Sequence, residues 1–242
     1  MKAEKIKYPM GALTAEGALI YDETFSGKRP AVLMAPNWMG ITDKAVERGT
    51  LVAGDRYVVF VADMYGQGTR PADFGEAANL ANPLRENAVE QRKRIRAAYD
   101  ALIAEGTKRN LIDHRRAAVG FCFGGGNVLE LARDGADIAA AVSIHGDLKT
   151  ALAAKKGAVK AKLLVAHGAP DPVAPKADRD AFESEMDAAG AKWQMLVFSG
   201  VYHAYTDQGS DVPGVAGWDE PACRMTYAAT HLFIADAFAG RL

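Results

Sequence analysis

The run Gly120-Phe121-Cys122-Phe123-Gly124-Gly125-Gly126 leaves this chain few ways to fold around it. It follows Arg116-Ala117-Ala118-Val119, which reads as a short buried strand. It precedes residues 127–132, which read as a helix. A strand, a tight glycine-bounded turn and a helix form the setting of a nucleophile elbow, here with cysteine in the place usually held by serine. Small residues are needed on both sides because the turn is strained and the backbone passes close to the following helix. Such a turn lifts its central side chain clear of a sheet and aims a helix N-terminus at it. Free N–H groups and partial positive charge at that end favour a thiolate and a developing oxyanion.

The rest of the chain alternates strand and helix. Residues 5–8 and 17–21 read as two short strands joined by a turn, an antiparallel hairpin at a sheet edge. Residues 31–35 and 57–62 are continuous apolar runs, as expected of central strands covered on both faces. Between them Thr42 or Asp43 can cap a helix running to about residue 53. Residues 67–83 are rich in Gly, Pro, Ala and Asn and read as a long loop, with at most a short helix, placed as a lid. Residues 85–105 have helical periodicity, with Val89, Ile95, Tyr99, Leu102 and Ile103 inward and Arg92-Lys93-Arg94 on the solvated face. Residues 138–144, 163–166 and 193–198 are strand-like; residues 176–189 and 221–238 are helical. The pattern predicts an α/β fold with a mostly parallel central sheet, helices on both faces and an N-terminal edge hairpin. No repeat, low-complexity tract or linker divides residues 1–242, so a single domain is expected.

Ligand sites in open α/β sheets lie beyond the carboxyl ends of the strands. Asn37-Trp38, Asp63-Met64-Tyr65, Cys122, His145, His167 and His203 all fall at such ends. Asp171 lies in His167-Gly168-Ala169-Pro170-Asp171-Pro172-Val173, where a glycine and two prolines fix a loop and hold a carboxylate still. His203 follows the next strand. The chain order is nucleophile, acid, histidine, the order of α/β-hydrolases rather than of chymotrypsin or subtilisin. Cys122, Asp171 and His203 are therefore the candidate catalytic residues. His145 and His167 read as structural or supporting, because a triad needs one base. Cys223 reads as a packed thiol of the last helix.

With 242 residues, 49% of them hydrophobic, the chain can bury a sizeable core. A net charge of -1, with acids and bases interspersed, offers no electrostatic case for nucleic acid or an anionic membrane. No apolar run is long enough to span a bilayer, and the charged N-terminus lacks the apolar core of a signal peptide. Two cysteines far apart suggest neither a disulfide framework nor a metal pair, and a reduced cytoplasm is the expected setting. No metal and no cofactor is expected: HExxH, Walker and GxGxxG patterns are all missing. The expected partner is a small-molecule ester or lactone, met by a monomer or at most a dimer. Three other roles stay open: a ligand-binding protein on the same fold, an oxidant sensor working through Cys122, and a thiol acyltransferase.

The elbow, the Asp171 loop and His203 together resemble the dienelactone hydrolase (carboxymethylenebutenolidase-like) family of α/β-hydrolases, over nearly the whole chain. The resemblance implies a cysteine nucleophile, Cys122, with Asp171 and His203 completing the triad. It also implies an oxyanion hole made by the backbone N–H groups of Trp38 and Phe123. Asn37, Met39, Tyr65 and Tyr205 would line the substrate pocket. Two positions depart from the family pattern. Asn37 stands where well-studied members carry a glutamate. His203 is followed by Ala204-Tyr205-Thr206-Asp207, without the arginine that binds a substrate carboxylate in those enzymes. Arg70 and Arg85 lie near the expected lid, and a surface role is expected of both.

Overall fold

The computed structural model describes residues 1–242. Its sheet starts with the hairpin β1 (Lys2–Met10) and β2 (Leu13–Tyr21), longer than the sequence suggests and closed by Gly11 in the left-handed region. β3 (Arg29–Ala35) and β4 (Val58–Val61) are buried at every position. Their successive side chains feed two different cores. Ala31, Leu33, Val58 and Phe60 face one side, and Val32, Met34, Val59 and Val61 the other. That is why their sequences read as continuous apolar runs rather than alternating ones. β5 (Ile112–Phe121), β6 (Ala140–Ile144), β7 (Lys162–Gly168) and β8 (Lys192–Phe198) continue the sheet in the order β1-β2-β4-β3-β5-β6-β7-β8. β1 and β2 pair antiparallel, β2 meets β4 antiparallel, and every other neighbour is parallel.

Helices cover both faces. α1 (Asp43–Ala53) and α6 (Glu220–Phe238) pack on one. α3 (Ala88–Lys108), α4 (Phe123–Arg133) and α5 (Lys176–Ala189) pack on the other, joined by α2 (Phe74–Glu86). Thr42 caps α1 by accepting from the Ala45 N–H. From β3 the chain runs outward to β4 and then returns to place β5 on β3's other side. The strand order therefore reverses between β3 and β5, and a ligand crevice opens at that point.

The lid region differs from its reading as a loop. Asp73 accepts from the Glu76 N–H while the Glu76 carboxylate accepts from the Ala72 N–H, a reciprocal cap that starts α2. The helix carries Pro83 near its end and includes Arg85. Asn87 then caps a separate helix, α3. The inward stripe of α3 is Gln91, Ile95, Ala98 and Leu102, so Val89 lies off it and is 53% exposed. Nor is the basic run all solvated: Arg92 bonds Glu130 at 2.7 Å and Arg94 reaches the Met64 carbonyl at 2.9 Å. Only Lys93 of the three is exposed. A two-stranded ribbon, β9 (Asp211–Val212) and β10 (Ala216–Gly217), stands outside the main sheet. No helix is long and apolar enough to cross a membrane.

Candidate active site

Cys122 sits between the end of β5 and the first residue of α4 with φ 53°, the left-handed region. A non-glycine residue there is strained and persists only when its surroundings over-determine it. The surroundings do so. The Cys122 N–H donates to the Ile144 carbonyl at 3.0 Å, and its own carbonyl accepts from Gly125 at 2.8 Å. A Cβ on Gly120 would overlap the Gly124 carbonyl, and one on Gly124 would overlap the carbonyls of Ala35 and Pro36. Bare backbone at these two glycines lets α4 start directly beneath the end of β3. The thiol is 8% exposed.

His203 and Asp171 meet this thiol. His203 Nε2 lies 3.1 Å from Cys122 Sγ, and its Nδ1 lies 2.8 Å from Asp171 Oδ2. A carboxylate accepts only, so Nδ1 carries the proton. The His203 backbone is gripped from both sides, its N–H donating to Val215 and its carbonyl accepting from Gly217, both at 3.0 Å. That grip is the work of the β9–β10 ribbon. Burial opposes a charge on His203, but the Cys122 sulfur and the Asp171 carboxylate beside it outweigh that and raise its pKa to about 10. Burial likewise opposes the Asp171 charge. Hydrogen bonding from His203, with help from the Val173 N–H at 2.8 Å, holds its pKa below the usual carboxylate value.

The loop after β3 lies across from the elbow. Asn37 Oδ1 accepts from the Met39 N–H at 3.1 Å, and Asn37 Nδ2 donates to Asp207 Oδ2 at 3.3 Å. Asp207 is held in turn by the Arg48 guanidinium. Asn37 thus ties the Trp38 turn to the His203 loop. The N–H groups of Trp38 and Phe123 take no part in the hydrogen bonds of the turns and loops. Tyr65 donates from its hydroxyl to the Trp38 carbonyl at 2.8 Å and stacks on Phe123 with ring centres 6.0 Å apart.

Tyr205 does not line the pocket. It is fully buried, its hydroxyl pairs with Thr226 at 2.9 Å, and its ring packs in the α6-side core. The sequence places it two residues after His203, but Ala204 turns through φ 54° and sends it below the sheet ends. Met39 is half-buried beside Trp38. Arg70 is tied to the carbonyls of Gly66, Thr69 and Glu16. Arg85, expected at the surface, instead roofs the site. Its guanidinium lies 5.2 Å from the Phe123 ring centre and 5.9 Å from that of Trp38, and Nε donates to Asp147 Oδ2 at 2.8 Å.

Two further histidines are buried beside the cluster. His167 Nε2 donates to the Ala174 carbonyl at 2.9 Å and passes 3.5 Å from Asp171 Oδ2. His145, at φ 38°, pairs with Thr206 at 2.8 Å, and its ring meets that of His203 edge to face at 5.1 Å. Burial keeps both neutral, lowering their pKa values. No group of three or more His, Cys, Asp or Glu converges as metal ligands.

A doubly covered, mostly parallel sheet with a thiol elbow, a histidine and a carboxylate at its carboxyl end defines a carboxylic-ester hydrolase of the α/β-hydrolase type. The chain belongs to the dienelactone hydrolase family, whose model matches residues 17–237. Two similar solved structures are m3DLH (TM-score 0.90) and P91 (TM-score 0.89), a dienelactone hydrolase-like promiscuous phosphotriesterase from metagenomic libraries. Each is 32% identical, with 98% of both chains covered. A putative dienelactone hydrolase from Klebsiella pneumoniae shares the fold at 18% identity and TM-score 0.80, over 97% of this chain and 98% of that one. The search among curated proteins returns no match.

Proposed function

We propose that the protein hydrolyses small esters, enol esters or lactones through a Cys122–His203–Asp171 triad and a thioester acyl-enzyme. The observation that carries this reading is the position of His203, within hydrogen-bond reach of Cys122 Sγ on one side and of Asp171 on the other. His203 takes the thiol proton, and the thiolate attacks the carbonyl carbon. The carbonyl electrons move onto oxygen, where the N–H groups of Trp38 and Phe123 receive them. The intermediate collapses, the leaving oxygen takes the proton back from His203, and the acyl group remains on sulfur. Water then gives a proton to His203 and attacks the thioester. Collapse of the second intermediate releases the acid and restores the thiol.

A thiolate is itself a good leaving group, so the first intermediate reverts when the competing alkoxide is basic. Enol esters, lactones and aryl esters are therefore favoured over amides and simple alkyl esters. With an aryl ester, Cys122→Ala loses at least about a thousandfold in kcat/KM, the scale of a lost nucleophile, while circular dichroism stays native. Mass spectrometry of wild type quenched in turnover finds the acyl group on the Cys122 peptide. Undiminished turnover in Cys122→Ala sinks the reading. The likeness to P91 favours a second activity of the same thiolate, attack on the phosphorus of a neutral aryl phosphotriester. Release of the aryl alcohol that stops in Cys122→Ala tests it.

A further inference from the structure

The cation that roofs the site is already paired. Arg85 arrives from α2 with Nε on Asp147 Oδ2 at 2.8 Å and a terminal nitrogen on Asn82 Oδ1 at 2.9 Å. Its planar group lies against the rings of Phe123 and Trp38, leaving its side chain 24% exposed and that of Asp147 15% exposed. Asp147 reaches it from the loop after β6, passing over Gly126, where a Cβ would stand 3.0 Å from Asp147 Cβ.

The other charges around the thiol are matched as well. Arg48 is paired with Asp207 and also bonds the Thr206 carbonyl. Arg70 faces Asp63 at 3.7 Å and three backbone carbonyls. His145 and His167 are neutral. The Asp171 carboxylate is taken up by His203 and the Val173 N–H, and Arg179 bonds the Gly168 and Ala169 carbonyls of its loop. The side chains grouped beneath Arg85 are the rings of Trp38, Tyr65 and Phe123, with Phe74 stacked on Trp38 at 5.6 Å and 63% exposed. A charged acyl group would leave water for aromatic walls, with no unpaired cation to compensate it.

We propose that the site accepts esters of uncharged acyl groups and discriminates against carboxylate-bearing ones, with Asp147 setting that preference by neutralising Arg85. The proposal rests on the hydrolase reading of Cys122. It makes Asp147 a specificity-determining residue that acts through another side chain. The stretch that follows His203 carries no arginine and ends in Asp207, whose charge already faces Arg48.

The test uses two p-nitrophenyl esters of equal chain length, the pentanoate and the hemiglutarate, the second ending in a carboxylate. Wild type favours the pentanoate in kcat/KM by about tenfold or more, a factor equivalent to about 1.4 kcal/mol. Asp147→Asn uncovers Arg85 and moves the hemiglutarate-to-pentanoate ratio up by about tenfold. That gain shrinks as salt is added and disappears in Asp147→Asn/Arg85→Gln. A purely structural role for Asp147 would lower both rates and leave their ratio and its salt dependence alone. A wild-type preference for the hemiglutarate overturns the proposal and needs no variant to fold. So does an Asp147→Asn ratio that is unchanged or lower. Cys122→Ala separates the two levels. If it still turns over both esters, the hydrolase reading fails and this proposal with it. If it is inactive while wild type prefers the hemiglutarate, only this proposal fails.

Discussion

At the scale of single residues, Asn37 is the most informative departure from the family pattern. A glutamate there could take a proton from the thiol; an amide cannot. Its two hydrogen bonds, to the Met39 N–H and to Asp207, fix the turn that carries Trp38, the proposed oxyanion donor. Misplacing one oxyanion donor costs catalysis without moving the pKa of the triad. Asn37→Ala should therefore lower kcat by about tenfold, with KM and the pH profile unchanged. Asn37→Asp should be worse, because it sets a second carboxylate against Asp207. A displaced pH profile in Asn37→Ala would show that the amide acts on the thiol directly. The triad candidates were legible because packing alone rarely sets a cysteine between glycines at the end of an apolar run. Arg85 was not, because a lone arginine in a polar, Gly/Pro-rich stretch carries no sign of what will fold over it.

At the scale of elements, the contact between the end of β3 and the start of α4 builds the site. Gly124 has no Cβ because the Ala35 and Pro36 carbonyls occupy that space, and those atoms belong to backbone that no rotamer change can move. Gly124→Ala should destabilise by about 3 kcal/mol, the upper range for overpacking, read as a lower urea midpoint at unchanged m-value. Gly126→Ala, which meets the Asp147 side chain at 3.0 Å, should cost less. Equal effects from the two would mean that the β3–α4 approach is not the constraint. The main strands and five of the six helices follow from apolar runs, periodicity and caps, α1 and α5 with the bounds observed. α2 reads at most as a short helix within a loop, because Gly75, Pro83 and two asparagines mask a sound start signal, the reciprocal cap of Asp73 and Glu76. The β9–β10 ribbon escaped for a different reason. Its strands are two residues each, too short for any periodicity, and its purpose is to grip His203, which lies elsewhere in sequence.

Over the whole molecule, the buried and half-buried histidines tie stability to pH in two opposite senses. His145, His167 and His231 have pKa values below the ordinary 6.5, burial being the first cause in each. Below that value the unfolded chain binds protons that the folded chain refuses, so stability falls as pH drops through 6.5. His203 runs the other way. Its folded pKa is about 10, so its contribution is complete below 6.5 and is lost as pH rises towards 10. The two effects cross near 6.5, and stability should peak there rather than rise steadily in either direction. Each fully buried histidine contributes a slope of up to about 1.4 kcal/mol per pH unit on its own side. Urea unfolding followed from about pH 5 to about pH 10 reads both limbs. His145→Gln, which removes a fully buried neutral ring, should flatten the acid limb and leave the alkaline one. Cys122→Ala removes the sulfur whose contact helps raise His203 and should flatten the alkaline limb instead. Stability that climbs on acidification below 6.5 would mean that the buried rings take up protons in place, and the neutral assignment of His145 and His167 would have to be given up.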